Sequence, residues 1–354
     1  MAKELETNRK YWLVRTFGGK YYDHFVQNNY IAIGWNELSD IEMIKNADNN
    51  GVAKEQLFNK AKELYSKKET DQMGRIVNPI IKFVKDMAIG DVVVIPSKNS
   101  KEIHFGIIKS DVNIVKDVIN LDEGLEPLYK QRTVDWVIWR DKDSVDLNIF
   151  KMLASHYAIS SVDAYAESID RTMYSFYVKG DKAYLVIKVS KEGEYEGTEI
   201  PDLINQFIGT INIYNKLTGK SLNKNDVKTK VSLQSDGFAL FSGSVESIAV
   251  MIGIAVLLTG GSYELLKLFK ISTPGVIPMI WSKILETREQ THKHKLETEE
   301  QEFRHIMGTL KITLPVEDMV GATLSQEAIT EISTPVNTTE ERIQLNLGED
   351  EQGD

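Results

Sequence analysis

Over the first 165 residues the apolar positions come in short runs separated by turn residues. Tyr11–Val14 is a β-rich run, Phe17-Gly18-Gly19 interrupts it, and apolar Tyr30–Ile33 precedes Gly34-Trp35. That order predicts strand, turn, short helix, strand. Across residues 51–69, Val52, Leu57, Ala61 and Leu64 recur at helical spacing with Lys and Glu between them. Ile76, Ile80, Ile81, Phe83 and Val84 mark a second helix. Gly90-Asp91 then opens a continuous apolar strand closed by Pro96, and Ile103–Ile108 is placed to pair with it across the polar turn Ser97–Glu102. Arg132–Arg140 alternates, with Val134, Trp136 and Ile138 on one face. Many short strands with one or two helices predict a small β-barrel carrying helices over residues 1–165.

Residues 170–244 follow another pattern. Ser175–Val178 and Ala183–Val189 flank Lys179-Gly180-Asp181, a hairpin signal. Ile200–Leu217 is amphipathic, with Leu203, Ile204, Phe207, Ile208, Ile211 and Tyr214 on one face, and Lys230–Leu233 and Phe238–Phe241 read as a second strand pair. The order ββαββ predicts a second small α+β domain. Over residues 245–312 a hydrophobic helix and then a charged one are expected, and 313–354, rich in Thr, Glu, Ser, Asn and Gln, reads as a disordered acidic tail. The fold class is α+β.

Ser247–Tyr263 runs 17 residues without a charge. A helix of that length reaches about 25 Å, the short end of what spans a hydrocarbon core. Five lysines between Lys216 and Lys230 suit a cytoplasmic flank. Gly253, Gly260 and Gly261 weaken the helix, and Lys267 and Lys270 make the far side positive too. A membrane span and a buried helix both explain the run, with the buried or oligomer-forming helix favoured. Ile284, Leu285, Leu296, Phe303, Ile306, Met307 and Leu310 in the charged helix suit self-association or a partner helix.

Charge changes the picture only once it is located. Of the net charge of −10, −9 lies in residues 315–354, where ten acids face Arg342 alone. Residues 1–190 carry 27 bases and 27 acids, so no basic face announces tight duplex binding. The absence of cysteine excludes disulfides, thiolate metal sites and cysteine nucleophiles. Polar Met1–Lys10 has no signal-peptide character, so the expected location is the cytoplasm, with association to the inner membrane if Ser247–Tyr263 inserts.

The pieces YWLVR from Tyr11, IAIGW at Ile31–Trp35, IKFVKDMAIGDVVVIPS at Ile81–Ser97, IHFGII at Ile103–Ile108 and VDWVIW at Val134–Trp139 occur in a characteristic order. In this order residues 11–165 resemble the EVE-like branch of the PUA superfamily, found in front of modification-dependent restriction endonucleases. The resemblance implies a reader that takes a flipped or unpaired modified base into an aromatic-walled pocket, in a prokaryotic defence setting. Extruding a base costs a few kcal/mol, about what one or two aromatic stacks return. Trp35, Trp136 and Trp139 are the expected walls, with Arg15, Asn36, Arg75, Ser97 and Lys98 as polar partners. Each tryptophan also has a plainer reading as barrel core, and Trp35, after a strand-ending glycine, is the strongest of them. The expected partner is nucleic acid or a nucleotide carrying a modified base.

The restriction relatives carry a nuclease, whose acid-X-Lys triplet does not follow Asp226 or Asp236 in a strand. No G-x-x-x-x-G-K-[ST], H-E-x-x-H or G-x-S-x-G motif occurs. His292, His294, Glu297 and His305 do not share a helix face. The expectation is therefore a sensor without catalytic residues, cofactor or metal. The alternative is a membrane-anchored or oligomeric assembly protein whose barrel binds another protein.

Overall fold

The computed structural model describes residues 3–47, 51–65, 73–116, 121, 124–189, 194–232, 237–258 and 293–312. These divide into two bodies, one of Glu4–Gly180 with Val231–Ala239 and one of Asp181–Lys230 with Leu240 onward. In chain order the first holds β1 (Lys3–Leu5), β2 (Tyr11–Val14), α1 (Tyr22–Gln27), β3 (Tyr30–Ile33), α2 (Ile41–Lys45), α3 (Val52–Leu64), α4 (Met73–Ile81), β4 (Val92–Pro96), β5 (Glu102–Ile108), β6 (Asn113–Ile114), β7 (Lys130–Asp141), α5 (Leu147–Met152), β8 (Ile159–Ser161), α6 (Ala166–Met173) and β9 (Phe176–Lys179). The second holds β10 (Lys182–Val189), α7 (Glu199–Thr218), the first three residues of β11 (Lys228–Ser232), the last five of β12 (Gly237–Ser244), α8 (Val245–Leu258) and α9 (Lys293–Thr309). The fold is mixed α+β, and its main sheet is curled like half a barrel.

That sheet runs β3-β7-β5-β4-β2-β8, with β6 added on β7. Only β2 and β4 are parallel, and their residues are all buried, as expected for strands covered on both faces. β7 organises the curl. Its first residues pair with β3, Lys130 opposite Ile33, and its last with β5, Asp141 opposite Glu102. Between them the register shifts at Phe105/Gly106, a bulge that bends the strand. Gly106 is required there, because a β-carbon would lie 2.5 Å from Val134 and 2.6 Å from the Trp136 ring. The inner face meets α1 to α4 in one core that includes Trp12, Phe25, Ile31, Ile76, Ile80, Phe83 and Val93.

Two buried polar residues hold this core together. Asp91 accepts from Trp12 Nε1 at 2.8 Å and from the backbone N–H groups of Lys10 and Ala88 at 2.9 Å, so Gly90-Asp91 locks β2 to β4. Arg132, on β7, reaches the far end of the α4 helix, which continues into a π-helical turn over Lys82–Asp86. Its guanidinium donates to the carbonyls of Phe83, Val84, Met87 and Ser110 at 2.8–3.1 Å. Carbonyls at a helix C-terminus lack intrahelical partners and carry partial negative charge, which a cation satisfies.

Several expectations need their bounds adjusted. The helix expected over 51–69 is described as far as Tyr65, and residues 66–72 lie outside the described ones. The expected strand Arg132–Arg140 is longer, Lys130–Asp141. Residues 147–173 add α5, β8 and α6, which the hydrophobic pattern does not announce.

In the second body β10, β12 and β11 lie side by side in that order, and α7, α8 and α9 pack on one another. Phe207 of α7 sits between Phe241 and Phe303, at 5.4 and 5.2 Å between ring centroids. In α8 Ile248, Met251, Ile252, Ile254 and Ala255 are buried, with α7, α9 and β10 as neighbours. No described helix is long and apolar enough to cross a membrane. The rest of the apolar run, residues 259–263, lies outside the described residues, as do 282–292 of the expected charged helix and all of the acidic tail.

Candidate functional site

The turns after β2 and β3 and the segment before β7 touch one another. The first, after β2, needs a sharp reversal. Phe17, Gly18 and Gly19 all take positive φ, at 54°, 71° and 97°. Gly19 cannot be replaced, since a β-carbon would lie 2.4 Å from the Lys98 backbone nitrogen. The hairpin tip Ser97–Lys101 thus rests directly on this turn, and buried Thr16 donates its hydroxyl to Pro96 O at 2.6 Å. At the tip Ser97 Oγ accepts from Glu102 N at 2.8 Å, which fixes the hairpin and leaves Lys98 exposed.

The second turn follows β3. Trp35 adopts φ 58°, a left-handed conformation that costs a bulky side chain of order 1–2 kcal/mol. Its carbonyl accepts from Lys130 Nζ at 2.8 Å and from Leu38 N at 3.0 Å. Asn36 braces the third segment, donating to Pro127 O at 2.8 Å and accepting from Tyr129 N at 3.1 Å. Gly34 lies between the other two segments, where a β-carbon would be in ordinary contact with the Phe17 ring at 3.6 Å and with Leu128 at 3.9 Å. Tyr21 completes the wall. Its ring meets Phe17 at a tilt, 4.9 Å between centroids, and it exchanges hydrogen bonds with the Glu126 backbone.

Lys130 is the unusual member. Its side chain is fully buried, and burial pulls its pKa down to about 8, with the Glu37 carboxylate pulling the other way. Glu37 itself accepts a hydrogen bond from the Tyr65 hydroxyl, which holds the carboxyl below its ordinary value. The Phe17 ring lies against Gly34 and Tyr21, while Trp35 is partly buried against the core, with a buried lysine bonded to its carbonyl. Phe17 is 44% exposed and offers a flat apolar face.

The expected site residues separate accordingly. Trp35 and Asn36 form the second turn, and Ser97 and Lys98 abut the first. Trp136 belongs instead to an inner cluster. Its Nε1 donates to Phe25 O at 3.4 Å, its ring meets the edge of His104, and His104 Nδ1 is 2.6 Å from the Tyr22 hydroxyl. Burial lowers the His104 pKa, keeping the ring neutral near pH 7. Trp139, opposite His104 in the β5–β7 register, shares the sheet face of Trp136 and is half exposed. The Arg15 guanidinium is committed to the carbonyls of Leu153 and Ser155 beyond α5. Arg75 lies on the exposed side of α4, which packs on α2 and α3.

Phe17, Tyr21, Leu128 and Lys130 join the site without a sequence signal of their own. Phe17 stands beside two glycines and reads as a turn, and a lone lysine reads as solvated. Among the described residues no three His, Asp or Glu side chains gather as around a metal ion.

No curated protein and no solved structure matches the chain. Residues 10–159, which run from the start of β2 to the start of β8 and contain all three turns, match the family model of a domain of unknown function, DUF8426.

Proposed function

We propose that the first body reads a modified or unusual nucleobase, presented by a nucleic acid or nucleotide, on the Phe17–Trp35 surface. The observation that carries this reading is the Trp35 turn, a partly buried aromatic residue in a strained backbone whose carbonyl a buried lysine holds, following Gly34, which the exposed Phe17 ring approaches. Strain of this kind persists only where surrounding contacts over-determine it, and it concentrates at ligand sites. A preorganised aromatic wall loses little entropy on binding, which offsets the cost of unstacking a base. The EVE-like order of motifs supports the same reading from the sequence side.

The test is fluorescence anisotropy with the full chain and short labelled strands, plain or carrying methyl-, hydroxymethyl- or glucosyl-cytosine or methyladenine. One modification should bind at least about five-fold tighter than its plain counterpart, and Trp35→Ala should abolish that preference. Equal binding of every strand by the folded protein would overturn the reading.

A further inference from the structure

Trp139 was expected in the base pocket, and the strand register gives it other neighbours. β5 and β7 pair His104 with Trp139 and Glu102 with Asp141. Residues two apart on a strand share a face, so these four lie on one face of the sheet. On that face the Trp136 ring meets the edge of His104, and α1 supplies Tyr22, whose hydroxyl is 2.6 Å from His104 Nδ1. Toward the strand ends the same face opens. Trp139 is 50% exposed, and Glu102 and Asp141 are exposed beside it.

Two carboxylates directly opposite each other on a ladder repel. Exposed Asp23 on α1 adds a third negative charge. Burial raises the pKa of the Tyr22 hydroxyl, and the charges of Glu102, Asp23 and Asp141 raise it further, so all three act on one point. Among the described residues no lysine or arginine forms an ion pair with any of them. Lys142 is next to Asp141 in sequence, but its ammonium lies 4.9 Å from the centre of the Phe150 ring.

We propose that this face docks a partner protein through an arginine side chain laid on Trp139 between Glu102 and Asp141. A guanidinium is planar and matches both features at once. It stacks on an indole face and donates in-plane to carboxylates. A cation between the opposed carboxylates also removes their repulsion. Phosphates would be repelled, so the face does not extend a nucleic-acid site. It is open on its outer side and would hold a lone cation weakly, which favours an arginine carried by a chain that makes further contacts. The docking face is independent of the base-reading proposal.

The test is fluorine NMR of the full chain labelled with 5-fluorotryptophan, with the Trp139 resonance assigned by Trp139→Phe. The probes are the acetylated, amidated tripeptide Gly-Arg-Gly, its lysine and glutamine analogues, and a plain single-stranded oligonucleotide. The arginine peptide should shift the Trp139 resonance saturably, the lysine peptide should bind more weakly, and the glutamine peptide should leave it unmoved. Glu102→Gln combined with Asp141→Asn should weaken arginine-peptide binding about five-fold or more. Both side chains are exposed, so the variant keeps the fold, which circular dichroism checks. Equal shifts with arginine and glutamine peptides would overturn the proposal, as would unchanged affinity in the double variant. An arginine peptide held by the acidic tail would leave Trp139 unmoved and count against it too. A Trp139 shift produced by the oligonucleotide and not by the arginine peptide would reassign the face to nucleic acid. None of these outcomes bears on the modified-over-plain preference that tests the Trp35 site.

Discussion

Glycine and lysine decide most of what happens near the candidate site, residue by residue. Gly106→Ala should cost about 1–3 kcal/mol, the usual penalty of overpacking, because its β-carbon would meet Val134 and Trp136 well inside contact distance. A shifted urea midpoint with an unchanged slope would show it. Lys130 makes a pH-dependent contribution whose sign is fixed. Its folded-state pKa of about 8 lies below the ordinary 10.5, so between those values the unfolded chain binds more protons than the folded one. Stability from this group therefore rises with pH across that window, by about 2 kcal/mol between pH 7 and 9.5. Urea melts at both pH values should show the rise in the wild type and lose it in Lys130→Met. The same variant leaves the Trp35 carbonyl with Leu38 N as its remaining donor and should weaken discrimination between modified and plain bases. Little of this was legible in the sequence. Trp35 was, because it follows a strand-ending glycine. Its left-handed backbone was not, since it depends on a lysine 95 positions away in the chain.

Among the elements, β2, β4 and β5 were legible because continuous apolar runs bounded by Gly, Asp and Pro leave few alternatives. The helix that continues into a π-helical turn at Lys82–Asp86 was legible only as a helix. Its wide turn is stabilised from outside by Arg132, and local propensity carries no trace of that. Arg132→Met should take their donor from three buried carbonyls and one part-buried one and cost about 3–5 kcal/mol. Hydrogen exchange should then quicken first over Lys82–Met87. Residues 147–173 escaped reading because α5 and α6 are short and β8 has only three residues. Their placement comes from contacts distant in sequence. Asp170 of α6, for instance, accepts from Tyr11 Oη at 2.7 Å and pairs with Lys179 at 2.9 Å and with Arg9.

At the scale of the whole molecule each body can be probed by itself. Phe207→Ala in the second body should destabilise that core by about 3–5 kcal/mol. Exchange of the β3 and β7 amides should stay as in the wild type, which hydrogen-exchange mass spectrometry can follow. The apolar helix α8 illustrates how far composition carries. An uncharged run reads equally as a span or as a core helix, and among the described residues its side chains are covered by α7, α9 and β10.

The central claim is that a base rests against Trp35. It is tested most directly by fluorine NMR of the full chain labelled with 5-fluorotryptophan, whose five resonances are assigned by single Trp→Phe variants. Adding a single strand with the preferred modification should shift the Trp35 resonance strongly, and Trp12 and Trp136 scarcely at all. Saturating the strand with the Trp35 resonance unmoved would contradict the claim.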